Sequence, residues 1–150
     1  MSTETKVFGA IILVGAVFLL SREETSVPEG EIVSRRAVHW HPRLTIYIKG
    51  EKQEIPADLG LGPVHAEIHT HKEDNSDGVV HLEMKGVVTK NETRLARFFQ
   101  LWGKELSPNC IFDKCNGAEG TVKMIVSGQE NKEFENYLMK DGDIIEIHYE

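Results

Sequence analysis

The sequence predicts an α+β domain. It consists of a mixed sheet packed on one helix, with an inserted histidine-bearing β-hairpin and a hydrophobic helix at the N-terminus. Three observations lead there. From Val38 onward apolar and polar residues alternate with period two, as half-buried strands require. Leu95, Phe98, Phe99 and Trp102 instead recur at i, i+3, i+4 and i+7, the stripe of a single amphipathic helix. Residues 7–20 form an uninterrupted apolar run.

That run carries Lys6 before it and Arg22-Glu23-Glu24 after it. As a helix, its roughly 14 residues span about 21 Å, short of the ~30 Å hydrocarbon core. Thr5 and Ser21 extend it, and snorkelling of Lys6 and Arg22 makes up the difference. Residues 1–21 are therefore expected to be a signal anchor, a single transmembrane helix at the cell membrane with the rest of the chain outside the cytoplasm. A cleaved secretory signal fits the same length, although the small-x-small site Val14-Gly15-Ala16 falls inside the apolar run. Residues 22–36 are polar, contain Pro28 and Gly30, and show no apolar period; they are expected to be a linker, leaving 37–150 as the folded domain.

Within the domain, Val38, Trp40, Leu44, Ile46 and Ile48 share one parity and are expected in the core. His39, His41, Arg43, Thr45 and Tyr47 take the other, and Pro42 predicts an edge or a bend. Lys49-Gly50-Glu51 reads as a turn and 52–55 as a short return strand. After a loop at 56–63, Val64, Ala66, Ile68 and Thr70 alternate against His65, Glu67, His69 and His71. Residues 72–78 make a hairpin loop. The return strand then sets Val80, Leu82 and Met84 against Val79, His81 and Glu83, with His81 nearly opposite His71. The helix follows over 91–103, with Asn91 as its cap (it also begins a glycosylation sequon) and Gly103 at the C′ position. Strands are expected at 121–126, more weakly at 134–139, and at 144–149.

Six of the seven histidines lie between positions 39 and 81. His39 and His41, and again His69 and His71, are spaced so that a strand projects both rings from one face. Strand parity adds His81 to the second pair. These five are the candidate metal ligands. His65 is the weaker sixth, roughly 13 Å from His69 along an extended strand, and His148 is expected at the far end of the sheet. Neutral imidazoles suit Cu(II), Zn(II) or Ni(II), whereas Ca(II) and Mg(II) prefer oxygen. Met84 has apolar parity, which removes a thioether from the donor set, and Trp40 likewise points to the core. Glu67, Glu83 and Asp77 are candidates to orient the imidazoles by accepting their N–H protons. Copper is the first expectation and zinc the second.

The two cysteines, Cys110 and Cys115, lie in a segment rich in turn formers and are expected to form a disulfide; a thiolate metal pair is the alternative. A disulfide and an apolar leader together suggest an extracytoplasmic domain. The net charge of −7 argues against nucleic acid or an anionic membrane surface as partner.

With the hairpin removed, the element order resembles the β-grasp (ubiquitin-like) arrangement, and Asp141-Gly142-Asp143 leading into 144–149 looks like its closing strand. The combination His39-Trp40-His41, Ile55-Pro56-Ala57, His69-Thr70-His71, the run Asp-Gly-Val-Val-His-Leu-Glu at 77–83 and Phe98-Phe99-x-x-Trp102-Gly103 resembles uncharacterised extracytoplasmic proteins of bacteria and archaea. That resemblance covers residues 37–150 and implies a metal-site family with no assigned reaction. The chain ends in His148-Tyr149-Glu150 rather than Gly-Gly, so ubiquitin-like conjugation is not expected. Three functions stand side by side: a membrane-anchored protein that captures, stores or hands a metal to a neighbour; a metalloenzyme with an open coordination position and Glu67 or Glu83 as base; and an interaction module or accessory subunit of a membrane complex. No nucleophile elbow, phosphate loop or dinucleotide fingerprint marks another enzyme class.

Overall fold

A computed structural model describes residues 26–150. The apolar run at 7–20 lies outside them, and no helix among the described residues is long and apolar enough to cross a membrane. The fold is mixed α+β, mostly strands. In chain order the strands are β1 (Ile32–Ser34), β2 (Val38–Trp40), β3 (Arg43–Ile48), β4 (Glu51–Lys52), β5 (Ile68–His69), β6 (His81–Met84) and β7 (Val88–Thr89). Two helices follow, α1 (Lys90–Thr93) and α2 (Leu95–Trp102). The chain closes with β8 (Cys110–Ile111), β9 (Lys114–Cys115), β10 (Val122–Val126), β11 (Gln129–Asn131) and β12 (Ile144–Tyr149).

One open sheet has the order β11-β10-β12-β3-β4. Its two central strands, β3 and β12, run parallel, with Leu44 beside Ile145 and Ile46 beside Ile147. Alternation puts these four in the interior, each at most 1% exposed, where they join Leu95, Phe98 and Phe99 of α2 in one core. A second sheet, β2-β6-β5, carries the histidines. Its apolar side, Val38, Ile68, Leu82 and Met84, belongs to the same core, so its other side is the one left for the imidazoles.

The alternation of 38–48 is shared between the two sheets. Pro42 has no N–H to donate to a ladder, and the residues beside it bond elsewhere: His41 N–H to Asp141 Oδ1 at 2.9 Å, and Arg43 N–H to the Asp143 carbonyl at 2.8 Å. The bend expected there is thus a change of sheet. Gly78 clips the sheets together across it. Its carbonyl accepts the Leu44 N–H at 2.8 Å, and Val80 N–H reaches the Pro42 carbonyl at 2.9 Å.

Several expectations shift. Ile32–Ser34, placed in the linker by composition, pairs with Val88–Thr89, so ordered structure begins before Val38. The helix starts two residues earlier than Asn91 implies: Thr89 is the cap, its N–H donating to the Glu92 carboxylate at 2.6 Å. It then breaks at Arg94, whose extended backbone (ψ 138°) lets it bridge to Leu138 while Leu95 N–H donates to the Tyr137 carbonyl at 2.8 Å. That same pairing explains why 134–139 is not a strand. Phe134–Asn136 is a single 3-10 turn that delivers Tyr137 and Met139 to the core. Gly103 takes the expected C′ role at φ +68°. The expected disulfide joins Cys110 and Cys115 across the β8-β9 hairpin. The return strand expected at 52–55 is shorter, ending at Lys52.

Gly78 sits at φ +76°, and a Cβ there would lie 2.2 Å from the Leu44 carbonyl oxygen. Gly50, at φ +83°, has open space around it. Replacing Gly50 with Ala should cost about 1–2 kcal/mol, the left-handed backbone penalty alone. Gly78→Ala should cost clearly more in the same urea-unfolding measurement, because the clip must also open. Equal losses for the two variants would show that the contact with Leu44 is unimportant.

Candidate metal centre

The histidine face is built on Thr70. This residue is fully buried, its hydroxyl donating to the Pro56 carbonyl at 2.7 Å and accepting the Leu59 N–H at 3.0 Å. With its side chain pinned inward, the flanking His69 and His71 are turned to the other side, as period two requires. The chain then tightens. Asn75 N–H donates to the His71 carbonyl at 3.0 Å, and Asn75 Nδ2 donates to the Ile55 carbonyl at 2.7 Å. This fold-back brings Asp74 over the return strand. The register pairs His81 with His69, two residues from the expected partner His71. The hairpin loop is not symmetric, because it contains the 3-10 turn Asn75–Asp77.

Ring centroids stand 5.4 Å apart for His69 and His81, 4.8 Å for His69 and His71, and 4.5 Å for His71 and His81. From β2 and its end, His41 comes within 4.9 Å of His81 and 4.6 Å of His39. All five expected ligands therefore share one patch. Within it, two groups each offer three ring nitrogens within 4.8 Å of one another: His69, His71 and His81, and His39, His41 and His81. His81 belongs to both.

The hydrogen bonds decide which nitrogen each buried ring can offer. Carbonyls and carboxylates only accept, so the ring nitrogen facing one must carry the proton. His69 Nδ1 faces the Ala66 carbonyl at 3.0 Å, leaving Nε2 as the donor atom for a metal. His81 has the opposite arrangement. Its Nε2 faces Asp74 Oδ2 at 2.9 Å, and its Nδ1 is buried with no partner at all. Such a carbonyl or carboxylate behind the ring is how metal-binding imidazoles are held in one tautomer. Burial is also the main reason the His69 pKa lies below its ordinary value, opposed by the Ala66 hydrogen bond and the Glu83 charge and reinforced by His71 and His81. A neutral His69 is the metal-ready form.

The outer histidines have carboxylate neighbours too. Glu83 Oε1 is 3.0 Å from His39 Nε2 and 4.0 Å from His69 Nε2, bridging the two groups. Asp141 holds His41 through its backbone N–H and lies 3.8 Å from His41 Nδ1. Glu83 was expected from parity. Asp74 and Asp141 were not, and Asp74 is the acidic partner of His81. Glu67 contributes its carbonyl to Glu83 N–H at 2.8 Å. Its residue lines a surface cavity of about 360 Å³ with His65, His69 and Glu83. His65 is exposed, its ring 6.4 Å from His69 and outside both groups. It is nearer than an extended strand allows because Ala66 N–H folds back onto the Gly60 carbonyl. His148 stacks on Tyr47 at 4.9 Å on the parallel strand pair, away from the patch. Trp40 packs against the core, and Met84 is buried there.

The chain matches no protein-family model, no curated protein and no solved structure.

The His69 shift has a pH consequence in the metal-free protein. Below its ordinary value of 6.5 the unfolded chain takes up this proton while the folded chain resists it. Stability from His69 is thus complete above 6.5 and is lost as pH falls through the lowered folded value. Thermal unfolding between about pH 7 and about pH 5 should show a steeper decline for the parent than for His69→Gln. Parallel declines would contradict the assignment.

Proposed function

We propose that this chain is a histidine-ligated transition-metal protein that captures, stores or delivers its ion, with copper the first choice and zinc the next. One observation carries the reading: His81 is buried with Nε2 tied to Asp74 and Nδ1 left without a partner, between two further pairs of imidazoles. An unpaired buried ring nitrogen costs stability unless something binds it, and a metal ion is the group this donor set suits. Five imidazoles in one patch exceed what a catalytic centre with an open position uses, which favours holding and transfer over catalysis. Copper in its divalent state fits donors that are all nitrogen, with Met84 on the far side of the sheet.

The same reading extends to setting and kinship. The Cys110–Cys115 disulfide supports a domain outside the cytoplasm, which residues 1–21 would anchor to the membrane and the segment after them would space from it. Parallel pairing of β3 with β12 beneath α2 supports a β-grasp-like description, with β5 and β6 as the inserted hairpin. The proposed kin are the extracytoplasmic bacterial and archaeal proteins that share the histidine pattern.

Titration of the full chain with Cu(II) and with Zn(II), followed by calorimetry, tests the function. Stoichiometric binding is expected, weakened at least tenfold in Asp74→Ala, the usual size of the loss when a metal-bound imidazole loses its partner. His81→Ala should lose more. Absence of stoichiometric binding by the parent would overturn the proposal.

A further inference from the structure

Resting on that metal-binding reading, we propose that the patch is a two-position relay for a single ion, in which His81 Nδ1 is the pivot between a more exposed collecting triad and a more buried holding triad. Both groups of three need His81. Its Nε2 is occupied by Asp74, so Nδ1 is its one free lone pair. A bridging imidazole that serves two ions at once needs both nitrogens, and here only one is free. The two positions are therefore alternatives, not a binuclear centre.

Exposure separates them, although His71 of the inner group is half-buried like His41 of the outer one. The side chains of His39 and His41 are 63% and 43% exposed, against 3% for His69 and 11% for His81. An incoming ion meets His39 and His41 first. Moving inward, it exchanges those two rings for His69 and His71 while His81 stays bound, so it is never stripped of all its protein ligands. Glu83 spans the step, 3.0 Å from His39 Nε2 and 4.0 Å from His69 Nε2, and its negative charge faces the path between them. The supports differ in the same sense. The inner rings His69 and His81 are each fixed by a direct hydrogen bond and buried, whereas the outer rings meet only exposed carboxylates, His39 at Glu83 (3.0 Å) and His41 at Asp141 (3.8 Å). A buried, hydrogen-bonded set of rings holds an ion more tightly, and a solvent-exposed one exchanges it faster. No covalent or redox step is involved; the ion changes ligands and keeps its charge.

The test compares the full-length parent with His39→Ala/His41→Ala, a pair of exposed positions whose loss should leave the circular dichroism spectrum and unfolding midpoint unchanged. The probe is Cu(II), supplied as a glycine complex and removed by EDTA in stopped flow. One ion per chain is expected for both proteins, with affinities within about tenfold, because the holding triad is intact. Uptake and release should each slow at least tenfold in the double variant. His71→Ala should do the reverse, weakening affinity at least tenfold while exchange stays fast. Two ions bound together by the parent, exchange rates unchanged in the double variant, or a loss of affinity there as large as in His71→Ala would each overturn the relay. Failure of the parent to bind any ion is a different result and would remove the metal-binding reading itself.

Discussion

The contact between Asp74 and His81 is the constraint on which the site depends. A carboxylate that accepts from Nε2 leaves Nδ1 as the one lone pair this ring can offer to the proposed ion. Nδ1 is completely withdrawn from water and protein partners. The ring cannot exchange the roles of its nitrogens without abandoning Asp74. The orientation of one imidazole is thereby decided before any ion arrives, and the other four rings are disposed around it.

Much of the fold exists to hold that contact. Asp74 reaches back because Asn75 is tied both to the His71 carbonyl and, through its side chain, to Ile55. Gly78 then returns the chain at a backbone conformation and a closeness to Leu44 that no side chain permits. The same close approach joins the histidine sheet to the larger sheet, whose parallel central strands fill the core beneath. Asp141, in the turn before the last strand, fastens His41 from that larger sheet. The inner rings thus inherit rigidity from the core, while His39 sits on the open side and is held chiefly by Glu83.

The residues told much of this in advance, and where they did not the reason is physical. Period two separated Leu82 and Met84 from His81 and Glu83, and the structure keeps that division. Pro42 marked the bend, because a missing N–H is visible in sequence. Pairing register was not visible. It depends on how many residues the loop at 72–78 consumes in its turn, which moved the partner of His81 from His71 to His69. Asp74 was hidden for the same cause, and Asp141 because it is 100 residues from His41. Local pattern also misplaced the segment 134–139, which is governed by the long-range bridge of Arg94 to Leu138; the helix start was legible in the Thr89-x-x-Glu92 spacing, but Asn91 was the cap expected. The sharing of His81 between two triads depends on tertiary approach of β2 to the hairpin, which no local pattern encodes.

The central claim concerns one atom, and a spectrum can address it. Long-range ¹H–¹⁵N correlation of the imidazoles in the Zn(II)-loaded chain distinguishes metal-bound, protonated and free ring nitrogens. His81 is expected to bind through Nδ1 with Nε2 protonated, while His69 shows the opposite pattern with Nε2 on the metal. Coordination of His81 through Nε2, or a His81 spectrum unmoved by saturating metal, would contradict it.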